Sequence, residues 1–218
     1  MKVIIGSVVI LLAASCAEDT PVTPTADVLQ AQPECPDGDQ TVQIIAPNFG
    51  IGFAFEIDVY EASRFDATAS SEGIGSEVAC SISGVLPWTE VTFSEASAAC
   101  QAAGKRLCTS DEWSAACGSI GLEYKFPYGR SYDATACRTE SVASSATGSL
   151  STCMTAVNGI MDMSGNLREW LDASGLAGGA FADSEPGLTC TSLLQANDSR
   201  SPDPGDGFRC CRTLSDYN

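Results

Sequence analysis

Eleven cysteines and no histidine set the chemistry open to this chain of 218 residues. Without an imidazole there is no Ser-His-Asp triad, no Cys-His pair, no His-bound zinc and no facial triad for non-haem iron. Reactive groups are therefore thiols, carboxylates, hydroxyls and backbone. The cysteines stand at positions 16, 35, 80, 100, 108, 117, 137, 153, 190, 210 and 211. Setting Cys16 aside leaves ten, an even number that suits disulfides in an oxidising compartment. The 28 acidic residues outnumber the 11 basic ones, for a formal charge of −17. Such a charge excludes nucleic acid as a partner, because phosphate binding needs clustered Lys and Arg, and it favours solubility and cations. Asp111 and Glu112, the adjacent acids, read as first-turn helix acids rather than a catalytic pair.

Cys16 follows an apolar leader. Lys2 gives the positive start, Val3 to Leu12 form an apolar run broken by Gly6 and Ser7, and Ala13, Ala14 and Ser15 are small. The pattern predicts a signal peptide over residues 1–15, too short for a spanning helix, which needs about 20 residues. Leu12-Ala13-Ala14-Ser15-Cys16 resembles a bacterial lipobox. That implies lipidation at Cys16 and a membrane contact through the anchor alone. Ala17, in place of Asp, implies an outer-membrane lipoprotein of the cell envelope, facing periplasm or exterior. The alternative is simple cleavage to a secreted protein with Cys16 left over. Residues 16–40 carry Pro21, Pro24, Pro33 and Pro36 among polar residues and no basic one. Such a stretch buries too little apolar surface to offset ordering entropy, so a disordered tether is expected, stapled near its end by Cys35.

Residues 41–218 are expected to form the folded domain. Phe53, Phe55, Ile57 and Val59 alternate with other residues, predicting a half-buried strand. Thr92 with Glu95 forms a capping box ahead of a helix through Ala96, Ala99, Cys100 and Ala103, stopped by Gly104. Thr109 with Glu112 repeats it before a short helix carrying Trp113, Ala116 and Cys117 and ending near Gly118. Beyond that the chain is rich in Gly, Ser and Pro with little periodicity, so disulfides and possible metal ions must supply what regular structure does not. Trp88, Trp113 and Trp170 are expected to be core anchors. Asn197-Asp198-Ser199 has the form of a glycosylation sequon, and Asp203-Pro204-Gly205-Asp206 reads as a turn.

An ordered set of motifs adds a family resemblance. Phe55-Glu56-Ile57-Asp58-Val59-Tyr60-Glu61, Leu86-Pro87-Trp88, Gly104-Lys105-Arg106-Leu107-Cys108-Thr109, Glu112-Trp113 and Phe126-Pro127-Tyr128-Gly129 come first. Asp162-Met163-Ser164-Gly165-Asn166-Leu167-Arg168-Glu169-Trp170, Gly178-Gly179-Ala180-Phe181 and Gly207-Phe208-Arg209-Cys210 follow. Over roughly residues 50–212 the chain resembles the sulfatase-modifying-factor domain, the family of the formylglycine-generating enzyme. The resemblance implies an α+β fold of the C-type-lectin-like kind, low in regular secondary structure and rich in disulfides.

The family's enzymes oxidise a substrate cysteine with oxygen, using copper held by two cysteines five positions apart after the Gly-Gly segment. Soft thiolates suit Cu(I). Here the stretch from Gly178 to Cys190 holds only Cys190, so copper is not expected, and the His ligands of the family's iron branch are absent. By the same resemblance Cys100 pairs with Cys210 and Cys117 with Cys190. The partners of Cys35, Cys80, Cys108, Cys137, Cys153 and Cys211 are left open. One arrangement joins Cys108 to Cys211, Cys137 to Cys153 and Cys35 to Cys80, and a vicinal Cys210–Cys211 bond is disfavoured by strain. The family's calcium loop carries over onto Asp162, Gly165, Leu167 and Glu169, two carboxylates and two backbone carbonyls. The alternative is that Glu169 pairs with Arg168 or Arg209. A second calcium loop is in doubt, since Cys137-Arg138 stands where an Asn is usual.

The expected function is a non-catalytic surface lipoprotein whose domain binds a protein, peptide or glycan or serves a structural role. The competing expectation is a copper-dependent formylglycine-generating oxidase acting on a protein cysteine, with relocated thiols such as Cys210 and Cys211.

Overall fold

Strand β2 (Ala54–Asp58) lies between β1 (Thr41–Ile45) and β10 (Cys210–Thr213) in an antiparallel sheet ordered β1-β2-β10-β5, with β5 at Arg106–Leu107. The computed structural model describes residues 33–36, 38–45, 54–185, 187–197 and 199–214. The predicted signal peptide, Cys16, most of the tether and Phe53 lie outside them. A hairpin pairs β3 (Ala62–Arg64) with β4 (Ala79–Ser81). A further sheet has the order β8-β7-β6-β9, from β6 (Arg168–Trp170), β7 (Gly175–Ala177), β8 (Leu193–Gln195) and β9 (Asp206–Phe208). Only its β6–β9 pair is parallel. No helix among the described residues is long and apolar enough to cross a membrane.

The expected half-buried strand is buried on both faces. Phe55 and Ile57 enter the core as the alternation requires, but Glu56 and Asp58 on the opposite face are also buried. Each acid has a partner. Glu56 accepts from Arg212 at 2.8 Å, and Asp58 accepts from Lys105 and from the Cys210 amide. Period-two patterning identified the strand, yet tertiary pairing determined which face met solvent.

Both helices begin as their capping boxes dictate. In α1 (Phe93–Ala102) Thr92 accepts from the Glu95 amide at 3.2 Å while Glu95 reaches back to the Thr92 amide at 2.9 Å. In α2 (Ser110–Cys117) Thr109 and Glu112 do the same. These contacts satisfy amides that the first turn leaves without helical partners. Each helix buries a stripe: Ala96, Ala99 and Cys100 from α1, Trp113, Ala116 and Cys117 from α2. Two of the apolar clusters among the described residues take up these stripes. One gathers Phe55, Ile57, Trp113, Ile160 and Met163; the other gathers Trp88, Leu107, Trp170, Leu176 and Phe208.

Five disulfides join these pieces: Cys35–Cys80, Cys100–Cys210, Cys108–Cys211, Cys117–Cys190 and Cys137–Cys153. Neighbours on a strand face opposite sides. Cys210 therefore enters the cluster of Cys100 and Trp170, and Cys211 the cluster of Cys108 and Trp113. That divergence is the reason the two do not bond to each other. Residues of the expected tether are drawn in as well, since Asp39 accepts from the Ser81 amide at 2.8 Å and also engages Lys105.

Candidate functional site

Two places gather the residues that the sequence singled out, one buried and one open. The buried one is built around Arg209, which has no exposed side-chain surface. Its Nε and Nη2 donate to Glu169 Oε2 and Oε1, both at 2.7 Å. Nη1 donates to the Asp58 and Val59 carbonyls, and Nη2 also to the Met161 carbonyl. Trp113 Nε1 donates to Glu169 Oε2 at 2.7 Å. All of the guanidinium edges are thereby occupied, as a buried cation requires.

Beside this pair lie two more buried acids. Glu61 accepts from the Leu167 amide at 2.9 Å and from Asn166 Nδ2, and Asp162 accepts from the Gly148 amide at 2.6 Å. Three carboxylates thus share one buried guanidinium. Burial, with the charges of Asp162 and Glu169, holds the Glu61 carboxyl well above the usual range. Burial pushes Asp162 up to about 6, against the opposing pull of the Gly148 amide and Arg209. Elsewhere, burial also raises Asp58 to about 6 despite the neighbouring Lys105.

This arrangement does not fit the expected calcium set. Both oxygens of Glu169 face Arg209, so a cation placed there would meet a guanidinium, and one Asp162 oxygen is committed to Gly148. Gly165 is required by close packing: at φ +73° an added Cβ would lie 2.4 Å from the Arg138 carbonyl. Among the described residues no three Cys, Asp or Glu side chains are arranged to hold a metal ion. Of the two partners considered for Glu169, the structure selects Arg209. Alternation along β6 turns Arg168 to the other side.

Arg168 leads to the open place. Its guanidinium meets Asp206 at 2.7 Å, Asp203 at 2.8 Å and Asp183 at 3.6 Å, and Arg200 reaches Asp206 at 2.6 Å. The stretch expected to be a simple turn at 203–206 is a turn and also an arginine clamp. Above it opens a cleft of about 470 Å³ lined by Arg168, Asp183, Ser184, Glu185, Leu193 and Leu194, among others. Gly179 also lines it. At Gly179, φ +67°, a Cβ would sit 2.8 Å from Leu188. Cys190, at the end of this segment, is bonded to Cys117, and all ten cysteines of the described residues are in disulfides. No thiol pair faces the cleft among the described residues.

Sequence reasoning gave Glu61 no role and gave Asp203 and Asp206 only that of a turn. Glu61 stood inside a quoted motif, but nothing local reveals a hydrogen bond to Leu167, more than a hundred positions away. The clamp had a weak signal, two aspartates around Pro-Gly with Arg200 just before.

The sequence matches the sulfatase-modifying factor enzyme 1-like domain over residues 54–214. Among solved structures the chain is similar to CarF, with a TM-score of 0.61 and 16% identity, over 82% of this chain and 99% of that one. PvdO from Pseudomonas aeruginosa gives 0.54 and 15%, over 80% and 92%. Treponema denticola variable protein 1 gives 0.56 and 13%, over 74% and 85%. At such identities these likenesses show the fold. No curated protein matches the chain in sequence. With the α+β, disulfide-rich architecture and the family match spanning most of its length, the chain belongs to the sulfatase-modifying factor enzyme 1-like family.

Proposed function

We propose that this protein is a non-catalytic lipoprotein of the bacterial cell envelope, anchored through Cys16, whose domain is a binding or structural module. The observation that carries the reading is the state of the cysteines. The family's copper chemistry needs two free thiolates after the Gly-Gly segment, and here Cys190 is tied to Cys117 while Cys210 and Cys211 are tied to Cys100 and Cys108. The chain has no histidine, and no free thiol stands among the described residues to take their place. What the domain retains is a cross-linked scaffold with an open cleft. Fold alone does not set function, so the cleft is where a partner is to be sought.

Thiol counting on denatured, unreduced mature protein tests this directly. We expect none reactive, with Cys16 blocked by lipid. Two reactive thiols that retain Cu(I), together with conversion of a cysteine-bearing peptide to its aldehyde, would replace this reading by the oxidase. Lipidation is checked by mass, and Cys16→Ser is expected to release the protein from the membrane fraction.

A further inference from the structure

We infer that the Cys35–Cys80 disulfide is a redox latch, opened by a dithiol reductant before any of the other four, which frees the chain ahead of Asp39 while the domain stays folded. The latch is independent of what the cleft binds. Among the ten cysteines of the described residues, nine are buried and Cys35 is half-buried. Both residues of every other bond lie inside. Cys100–Cys210 belongs to the cluster of Trp88 and Trp170, and Cys108–Cys211 and Cys117–Cys190 to that of Trp113. Cys137 and Cys153 are buried as well. Cys80 instead sits in a small separate cluster with Val78 and Ile82, with Cys35, Phe65 and Val85 partly buried against them. Reduction starts where a thiolate can reach sulfur, so exposed disulfides are the labile ones.

Burial also gives the exchange a direction. The thiolate of the reductant attacks Cys35, forming a mixed disulfide, and Cys80 leaves as a thiolate that takes up a proton. The second thiol of the reductant then displaces Cys35, which leaves in the same way. Two electrons pass to the protein, and the dithiol becomes a disulfide. The two products differ in surroundings. Cys80 remains beside Val78 and Ile82, where a neutral thiol packs as a small apolar group. Cys35 stands between exposed Glu34 and Pro36 and turns to solvent.

A second fastening, at Asp39, limits the opening. Asp39 accepts from the Ser81 amide at 2.8 Å and engages Lys105, whose nearly buried side chain also reaches buried Asp58. Gln40 donates to the Ser81 carbonyl at 2.9 Å and accepts from the Val59 amide at 3.0 Å. β1 follows at once, paired along its length with β2. None of these contacts involves sulfur, so reduction releases the chain as far as Asp39 and stops there.

The experiment uses the mature full chain with dithiothreitol as the reductant. After graded exposure the protein is quenched in acid, labelled with a maleimide in denaturant and mapped by mass. We expect Cys35 and Cys80 to label together, at dithiothreitol concentrations about tenfold or more below those that open any other pair. Glutamyl endopeptidase should cut after Glu34 faster once this bond is open. Cys35→Ser with Cys80→Ala should show the fast cutting without reductant, with unchanged circular dichroism. In both forms the Ser81 and Val59 amides should keep their protection from hydrogen exchange. Labelling of another pair first, or of all pairs together, overturns the inference. So does a single rate of cutting after Glu34 in the oxidised, reduced and doubly substituted protein, or loss of protection at Val59 when Cys35–Cys80 alone is open.

Discussion

Arg209 and Arg168 are two arginines with the same chemistry in two regions of one fold. Arg209 has no exposed side-chain surface and grips Glu169 with two parallel hydrogen bonds, while Arg168 keeps 18% of its side chain exposed and spreads over three aspartates. In the core, water is excluded, so every guanidinium edge and both carboxylate oxygens must find protein partners, and they do. At the cleft, solvent tolerates a looser geometry in which the Asp183 contact is long at 3.6 Å. A buried pair stands or falls as a unit, whereas a surface network can lose one contact at modest cost.

The largest expected effect tests the core. Arg209→Ala leaves Glu169 charged and buried beside Glu61 and Asp162, and should destabilise the disulfide-intact protein by about 3–5 kcal/mol in denaturant unfolding. A loss of under about 1 kcal/mol would mean that the two arginines are equivalent.

A pH titration of stability sharpens the same contrast. Asp162 and Asp58 are each raised from 3.8 to about 6 by burial. The folded state therefore keeps protons that the unfolded state has shed. Their contribution is most favourable below about pH 4, declines as pH rises toward about 6 and is level above that. At about 1.4 kcal/mol per pKa unit, each accounts for at most about 3 kcal/mol. Asp162→Asn should flatten the decline, and an unchanged profile would remove Asp162 as its source.

Arg168→Ala should cost less, about 1 kcal/mol, because Arg200 still holds buried Asp206 and the remaining acids are partly solvated. The difference from wild type should shrink in high salt. The smallest effect concerns calcium. With Glu169 committed to Arg209, melting temperatures in chelator and in millimolar calcium should agree to within about 1 °C. A clear rise with calcium would show that the folded state binds the ion and that the Arg209 pair yields to it.

Legibility followed the range of the interactions. Thr92 with Glu95 and Thr109 with Glu112 are three residues apart, so both helix starts could be read directly from the chain. The family was readable because its motifs keep their order from Phe55 to Cys210. The faces of β2 were misread: alternation places Glu56 and Asp58 on the solvent side, and only Arg212, Lys105 and the Cys210 amide, all far along the chain, make their burial tolerable. Glu61 went unassigned, and Asp206 was read only as part of a turn, for the same reason. The predicted roles of Cys16 and of the tether up to residue 32 fall outside the described residues.

By itself the sequence determined the helix caps, the core tryptophans and the exclusion of imidazole chemistry, since these follow from residue type and near spacing. Tertiary structure alone decided which carboxylate meets Arg209, which cysteine stands opposite Cys211 and which disulfide is left near solvent. Those outcomes depend on segments brought together from distant parts of the chain, where burial sets the cost of every unpaired group.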